Sequence, residues 1–167
     1  MPKKSLILTV CTGNTCRSPM AAKLLQAALK EAGGALDTLE VASAGVAAID
    51  GMPASTHSIS AAQALKLDLE GHQSQVLSAG LLERAYAIFG MTQSHVDIVQ
   101  ASFPGLCQHV YRFREFLPQE NGREIPDPYG QNLTAYQNCL SSMQAAIPSV
   151  IGFLQERLAM DLDEGQL

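Results

Sequence analysis

Four short apolar runs, separated by segments with helical periodicity, constrain the fold of this chain more than any other feature. Each run has the length of one strand, and the first and third are apolar enough to be buried on both faces of a sheet. Strands that alternate with helices form βαβ units, whose right-handed crossovers build a parallel sheet covered by helices on both faces. The predicted strands are residues 5–10, 39–45, 85–91 and 109–113. The predicted helices are residues 19–32, 55–67, 77–84, 94–102 and 133–158.

Local signals predict the limits of the first helix and the shape of the last. Ser18 and Pro19 indicate an N-cap followed by proline at the first helical position. Gly33 and Gly34 then end the apolar helical pattern. Pro148 lies inside the last helical pattern, where proline removes a hydrogen bond and predicts a kink.

Length and composition favour one globular domain over residues 1–167. The formal net charge of −5 argues against nucleic acid as a partner. No apolar stretch reaches the length of a membrane span, and the N-terminal apolar run is too short for a signal peptide. We therefore expect no membrane association. Four cysteines without an export signal are typical of reduced thiols in the cytoplasm.

The loop CTGNTCRS, from Cys11 to Ser18, places a thiol and an arginine between the first strand and the first helix. Parallel sheets bind ligands beyond the carboxyl ends of their strands. A loop of small residues can turn its backbone N–H groups toward an anion, and the helix start adds positive dipole. Arg17 adds a planar fork that matches two phosphate oxygens. This arrangement favours Cys11 as a nucleophile in phosphoryl transfer over a merely buried cysteine.

Cleavage of a phosphorylated residue also needs a proton donor for the leaving group. Asp127, between Pro126 and Pro128, is the candidate, because its loop follows the last strand and is expected at the same edge of the sheet as Cys11. By residue type alone, Asp127 is equally well explained as a turn aspartate.

The segment VCTGNTCRSPMA, residues 10–21, resembles the signature of the low-molecular-weight protein tyrosine phosphatase family. The resemblance continues through SAG, GHQS, MTQSH and IPDPYG and covers nearly the whole chain; these motifs occupy residues 43–45, 71–74, 91–95 and 125–130. It implies a flavodoxin-like, three-layer α/β fold with a four-stranded parallel sheet in the order 2-1-3-4. It also implies an enzyme that acts on phosphorylated proteins. No cofactor is expected.

The resemblance assigns a role to each residue of the site. Cys11 is the nucleophile, Arg17 binds phosphate, and Asp127 acts as acid in the first step and as base in the second. The other residues of the phosphate-binding loop are Thr12, Gly13, Asn14, Thr15, Cys16 and Ser18.

Supporting residues also follow from the resemblance. Ser18 matches a hydroxyl that hydrogen-bonds the cysteine sulfur, a role compatible with capping the helix. Ser43 and His72 match a polar network that, with Asn14, supports the loop in an unusual backbone conformation. Cys16 matches a cysteine that forms a disulfide with the nucleophile under oxidation and so shields it from irreversible damage.

The remaining histidines and cysteines show no pattern of their own. His57 and His95 are interpreted as surface or helix-end residues, and the cysteines and histidines lack the spacing of a metal site. Cys107 and Cys139 are expected in the core.

Two positions bear on the substrate. Family members that act on phosphotyrosine usually carry a bulky aliphatic residue where this chain has Thr15, and often an aromatic residue in the loop after SAG. Here that loop, residues 46–53, has no aromatic residue, and Tyr129 is the one expected flat wall. These features resemble the bacterial protein-arginine-phosphatase subgroup. Phosphoarginine and phosphotyrosine both stay open as substrates at this point.

Two other classes of protein are alternatives to a phosphatase. Thioredoxin-coupled arsenate reductases share a similar loop but need further cysteines after the third strand, where this chain has Cys107 alone before the fourth. They also usually carry glutamine at the position of Pro19. A non-catalytic oxyanion-binding module is the second alternative, and Asp127 argues against it because binding alone needs no acid.

Overall fold

A computed structural model describes residues 3–118 and 121–165 of the protein. Its four strands form one parallel sheet in the order β2-β1-β3-β4. The strands are β1 (Leu6–Cys11), β2 (Glu40–Gly45), β3 (Ala85–Gly90) and β4 (His109–Arg112). This confirms the predicted parallel sheet and its strand order, and each strand end lies within one residue of its predicted position.

Among the elements of residues 3–118 and 121–165, five α-helices and the 3-10 helix of residues 34–38 connect and cover the strands. They are α1 (Arg17–Ala32), the 3-10 helix (Gly34–Thr38), α2 (Thr56–Gln63), α3 (Ala79–Arg84), α4 (Gln93–Ser102) and α5 (Leu133–Asp163). Gly33 and Gly34 end α1 with φ angles of 68° and 61°, as their position in the sequence predicted. Pro148 lies inside α5, and the kink expected there stays a prediction. Within the described residues, none of these helices is both long enough and apolar enough to cross a membrane.

The start of α1 differs from the prediction. The helix begins at Arg17 with Cys16 as its N-cap, and no side chain caps it. Ser18 is therefore the second helical residue and Pro19 the third. Proline is tolerated there because the first N–H groups of a helix have no partner within it. The hydroxyl of Ser18 is used inside the loop instead.

The helices form one layer on each side of the sheet. Helices α1, α2 and α5 pack on one face around the larger apolar cluster, and α3 and α4 pack on the other. Strand β1 contributes to both clusters: Ile7 and Cys11 belong to the first, and Leu8 and Val10 to the second. Every residue of β1 is buried, as expected for a central strand of a parallel sheet. The three-layer α/β fold is thereby confirmed, and the buried β1 carries Cys11 at its carboxyl end.

Candidate active site

The loop after β1 is held in place by the segment that follows β2. The Ala47 N–H donates to the backbone oxygen of Thr12 (3.0 Å), and the Ser55 N–H donates to the backbone oxygen of Thr15 (2.8 Å). Because these bonds lie at both ends of the loop, its backbone is anchored along its whole length.

Gly45 is where the two segments approach most closely. A Cβ atom at this position would lie 2.5 Å from the backbone oxygen of Thr12 and 2.9 Å from the backbone nitrogen of Asn14. No side chain can fill this space, so the glycine of the SAG motif is required by the close approach of two backbones.

Asn14 is the centre of a buried polar network. Its φ angle is 57°, in the left-handed region that asparagine tolerates better than most residues, and its side chain is fully buried. The Nδ2 group donates to Ser18 Oγ and to Ser43 Oγ, each at 2.8 Å. The Oδ1 atom accepts a 2.9 Å hydrogen bond from the Gln75 N–H. Both ends of the amide are therefore used to hold the left-handed turn.

His72 and Gln75 complete this network from the outside of the loop. The Nε2–H of His72 donates to the backbone oxygen of Asn14 at 2.7 Å, and burial lowers the pKa of His72. Gln75 also donates from its side chain to the backbone oxygen of Ser43 (3.0 Å). The sequence interpretation did not include Gln75, although it directly follows the GHQS motif.

The sulfur of Cys11 lies 3.0 Å from Ser18 Oγ. Asn14 already donates to this hydroxyl oxygen, so the hydroxyl hydrogen is left for an acceptor. The other acceptor in reach, the backbone oxygen of Ala44, is farther away at 3.4 Å. The geometry therefore directs the Ser18 O–H to the Cys11 sulfur. A thiolate accepts such a hydrogen bond more strongly than a neutral thiol does.

Arg17 joins the loop to the segment that carries Asp127. Its guanidinium is buried, Nη1 donates to the backbone oxygen of Ile125 at 2.9 Å, and Nη2 lies 3.9 Å from Asp127 Oδ2. The Asp127 carboxylate is more than half exposed and accepts a 3.1 Å hydrogen bond from the Tyr129 N–H. The acid loop is thus fixed beside the arginine, while the carboxylate stays accessible.

These groups surround a cavity of about 240 Å³. It is lined by Cys11, Thr12, Gly13, Thr15, Cys16, Arg17, Asp127 and Tyr129. The other predicted site residues do not line the cavity and support the loop through hydrogen bonds: Asn14 and Ser18 from within it, and Ser43 and His72 from outside. A nucleophile, a fixed cation and a carboxylic acid around one concave surface can bind a phosphorylated group and cleave it.

Of the two alternatives that the sequence left open for His95, the helix end is correct and the surface is not. His95 lies in the first turn of α4 but is only 3% exposed, and its Nε2 atom is 2.9 Å from Thr12 Oγ1. Burial, assisted by the charge of Arg17, lowers the pKa of His95 to about 4. Its place in the MTQSH motif was the available signal. His57, by contrast, is exposed as predicted.

All four cysteines lie in the described part of the chain and carry free thiols. Cys16 is buried, and its sulfur lies 3.4 Å from the hydroxyl oxygen of Tyr136. Burial and this contact raise the pKa of Tyr136 to about 12. Cys139 is buried as expected, whereas Cys107 is only partly buried at the edge of the smaller cluster.

Comparison with known proteins agrees with this geometry. Residues 6–161 match the model of the family described as low molecular weight phosphotyrosine protein phosphatase. The chain is 33% identical to a protein-arginine-phosphatase of Geobacillus stearothermophilus, over 89% of this chain and 95% of the relative. It is 32% identical to the low molecular weight protein-tyrosine-phosphatase Etp of Escherichia coli K12, over 86% of this chain and 90% of that one.

A solved structure shares the fold. It is a mutant of the YwlE arginine phosphatase with a phosphorylated active-site serine, and it superposes with a TM-score of 0.81 at 28% identity. The match covers 90% of this chain and 95% of that one. The chain therefore belongs to the low molecular weight phosphotyrosine protein phosphatase family.

Proposed function

We propose that this protein hydrolyses phosphorylated protein residues through a phosphocysteine at Cys11, with phosphoarginine preferred over phosphotyrosine. The observation that carries the proposal is the single cavity on which Cys11, Arg17 and Asp127 meet. Family membership supports the reaction class, and the hydroxyl-bearing side chain of Thr15 on the cavity wall supports the preference.

In the first step, the Cys11 thiolate attacks phosphorus and the bond from phosphorus to the substrate breaks. Arg17 uses Nη1 to hold the backbone oxygen of Ile125, so its other N–H groups remain for the phosphate oxygens. Asp127 gives its proton to the leaving atom, which is a guanidinium nitrogen or a phenol oxygen. The products of this step are the dephosphorylated protein and phosphocysteine.

In the second step, water attacks the phosphocysteine. Asp127, now a carboxylate, takes a proton from this water, and the bond between sulfur and phosphorus breaks. Inorganic phosphate leaves, and the Cys11 thiolate is restored with Ser18 Oγ 3.0 Å away to stabilise it. Both protons are accounted for, because Asp127 regains in this step the proton it gave in the first.

The preference for phosphoarginine rests on the cavity wall. Thr15 places a short β-branched side chain with a hydroxyl on this wall, and a guanidinium group gains hydrogen-bond partners there that a phenyl ring does not use. Tyr129 lines the same cavity but is 77% exposed, so it encloses an aromatic ring poorly. The loop after β2, residues 46–53, contains no aromatic residue that could supply a second wall.

Matched phosphopeptides test this proposal. The same peptide is prepared with phosphoarginine or phosphotyrosine at one position, and kcat/KM is measured for each with the wild-type protein. We expect turnover of both, with a larger kcat/KM for phosphoarginine, and Cys11→Ser should abolish both reactions while its unfolding transition stays like that of the wild type. Turnover by Cys11→Ser at the wild-type rate would remove the nucleophile assignment. A larger kcat/KM for phosphotyrosine would reverse the preference.

A further inference from the structure

A buried histidine contacts the residue that follows the nucleophile. His95 and Thr12 are 83 residues apart in the chain, yet His95 Nε2 lies 2.9 Å from Thr12 Oγ1. The His95 side chain is tightly packed against β3, because a Cβ atom added to Gly90 would lie only 3.0 Å from the Cβ atom of His95. Its ring is therefore held in one place between the end of β3 and the loop.

The direction of this hydrogen bond follows from the other ring nitrogen. The Thr92 N–H donates to His95 Nδ1 at 3.2 Å, and a backbone N–H can only donate. Thr92 Oγ1 lies 3.1 Å from the same nitrogen, and a hydroxyl can donate as the N–H does. Nδ1 is therefore the acceptor and is unprotonated, and in a neutral ring the hydrogen is on Nε2. Burial and the nearby Arg17 keep the ring neutral, with a pKa of about 4. It follows that His95 Nε2–H donates and Thr12 Oγ1 accepts.

The bond leaves Thr12 with two unused hydrogen-bonding functions. Its oxygen has a second lone pair, and its hydroxyl hydrogen has no partner among the contacts of residues 3–118 and 121–165. Thr12 lines the cavity and is exposed, whereas Cys11 and Arg17 are 2% and 4% exposed. Thr12 consequently lies at the mouth of the cavity, where the side chain of the substrate passes, and the phosphate site lies deeper.

We infer that Thr12 is a specificity-determining residue for a guanidinium side chain and that His95 is the positioning residue that orients it. This inference rests on the proposed function and deepens it. With one lone pair held by His95, the other is directed to accept an N–H of the substrate guanidinium. A phenyl ring has no N–H group to donate at the mouth of the cavity, so Thr12 and His95 contribute little to the binding of phosphotyrosine.

Binding measurements test this inference without depending on turnover. All variants are made in a Cys11→Ala background, which cannot form the phosphoenzyme, and Kd is measured calorimetrically for phosphoarginine and for O-phosphotyrosine. We expect Thr12→Val, which removes only the hydroxyl function, to weaken phosphoarginine binding by about 10-fold and O-phosphotyrosine binding by less than about 3-fold. Thr12→Ser keeps the hydroxyl and should retain most of the affinity.

The positioning role of His95 is tested by two substitutions whose amide side chains differ in length. His95→Asn can still accept from the Thr92 N–H but is too short to reach Thr12, whereas His95→Gln can place an amide N–H near Thr12. We expect Asn to reproduce the selective loss of Thr12→Val and Gln to restore part of the affinity. Adding His95→Asn to Thr12→Val should cause no further loss, because the two residues act as one unit. The same change at the exposed His57 serves as the control.

Several results would overturn the inference. Equal losses for both ligands would mean that His95 acts on the fold rather than on the ligand, and additive losses in the double variant would separate His95 from Thr12. An NMR spectrum showing the His95 hydrogen on Nδ1 would reverse the bond and with it the argument. Failure of the proposed function has a different signature, since a wild-type protein without turnover of either phosphopeptide would leave these binding ratios measurable.

Discussion

Arg17 donates from Nη1 to the backbone oxygen of Ile125, two residues before Asp127, at 2.9 Å. The side chain that would bind phosphate thus also fixes the segment that carries the acid. The second nitrogen, Nη2, lies 3.9 Å from the Asp127 carboxylate, so one guanidinium sets both distances. In the proposed mechanism, this side chain would couple binding of the phosphate to protonation of the leaving group.

Replacement of the acid should therefore have a chemical signature. For Asp127→Asn we expect phosphoenzyme formation to slow by about 10²- to 10⁴-fold for substrates with basic leaving groups, and much less for p-nitrophenyl phosphate. The measurement is the dependence of the pre-steady-state rate on leaving-group basicity. Arg17→Lys is the contrast, because an ammonium has no planar fork and should slow good and poor leaving groups alike. Equal slowing in both variants would contradict the role of Asp127 in proton transfer.

Gly45→Ala tests the close approach of the two backbones. The added Cβ atom would meet the Thr12 oxygen at 2.5 Å, and backbone can give way less easily than a flexible side chain. We expect the free energy of unfolding to fall by about 1–3 kcal/mol, measured by urea denaturation, with a loss of activity because the loop must shift. Gly80→Ala in α3 is the matched control, since nothing lies within 4 Å of its added Cβ. A Gly45→Ala variant as stable and active as Gly80→Ala would show that the loop accommodates the methyl group.

Acid should destabilise the fold through histidines that are buried or half-buried in the folded protein. Burial lowers the pKa of His95 from its ordinary value of 6.5 to about 4, and it also lowers the pKa of His72 and of His109. Between pH 4 and pH 6.5, His95 binds a proton in the unfolded chain but not in the folded protein. The free energy of unfolding is therefore undiminished above pH 6.5 and decreases as the pH falls toward 4. For His95 alone, the loss between pH 7 and pH 4.5 should be about 2 kcal/mol.

Urea denaturation at these two pH values measures the effect. In His95→Asn the difference between the free energies of unfolding at the two pH values should be smaller by about the same 2 kcal/mol. The carboxylates also titrate in this pH range, but they are the same in wild type and variant, so their contribution cancels in the comparison. A pH dependence unchanged by this substitution would show that His95 is protonated in the folded state.

The parts of the fold that could be predicted are those that depend on the local pattern of apolar and polar residues. The strand of Leu6–Cys11 is a continuous apolar run, and it is found buried on both faces. The strand order, in contrast, was implied by the family resemblance and not by any periodicity. The start of α1 was placed wrongly because Ser18 is a good capping residue by type, yet its hydroxyl is drawn to Cys11 and Asn14.

Residues whose partners are distant in the chain or belong to the backbone could not be found from pattern. His95 is buried, and its side chain contacts Thr12, 83 residues away in the chain. Arg114 is another such residue: its buried guanidinium donates to the backbone oxygens of Asn121, Gly122 and Ser142. Backbone acceptors have no sequence signature, so the sequence alone predicts an exposed position for an arginine that is held by backbone oxygens.

Oxidation tests the proposed partnership of Cys11 and Cys16, which line the same cavity. Attack of the Cys11 thiolate on hydrogen peroxide gives a sulfenic acid and hydroxide, and the Cys16 sulfur then displaces hydroxide to form the disulfide. We expect wild-type activity lost to mild peroxide to return with a thiol reductant. Cys16→Ser should be inactivated irreversibly by sulfinic acid at Cys11, detected by mass spectrometry. Cys107→Ser is the control and should recover like wild type; recovery of Cys16→Ser would show that Cys16 takes no part.

The preference for the substrate can be moved at Thr15. This residue is half-buried on the cavity wall, next to Cys16. In Thr15→Ile the hydroxyl is replaced by apolar bulk, which opposes a guanidinium and favours a phenyl ring. A contact of this size changes specificity by roughly 10- to 200-fold, so the ratio of kcat/KM for phosphoarginine over phosphotyrosine should fall by that factor. Matched phosphopeptides give the ratio, and Thr134→Ile, at an exposed threonine of α5, should leave it unchanged. If the ratio for Thr15→Ile also stays at the wild-type value, the wall at Thr15 does not select the substrate.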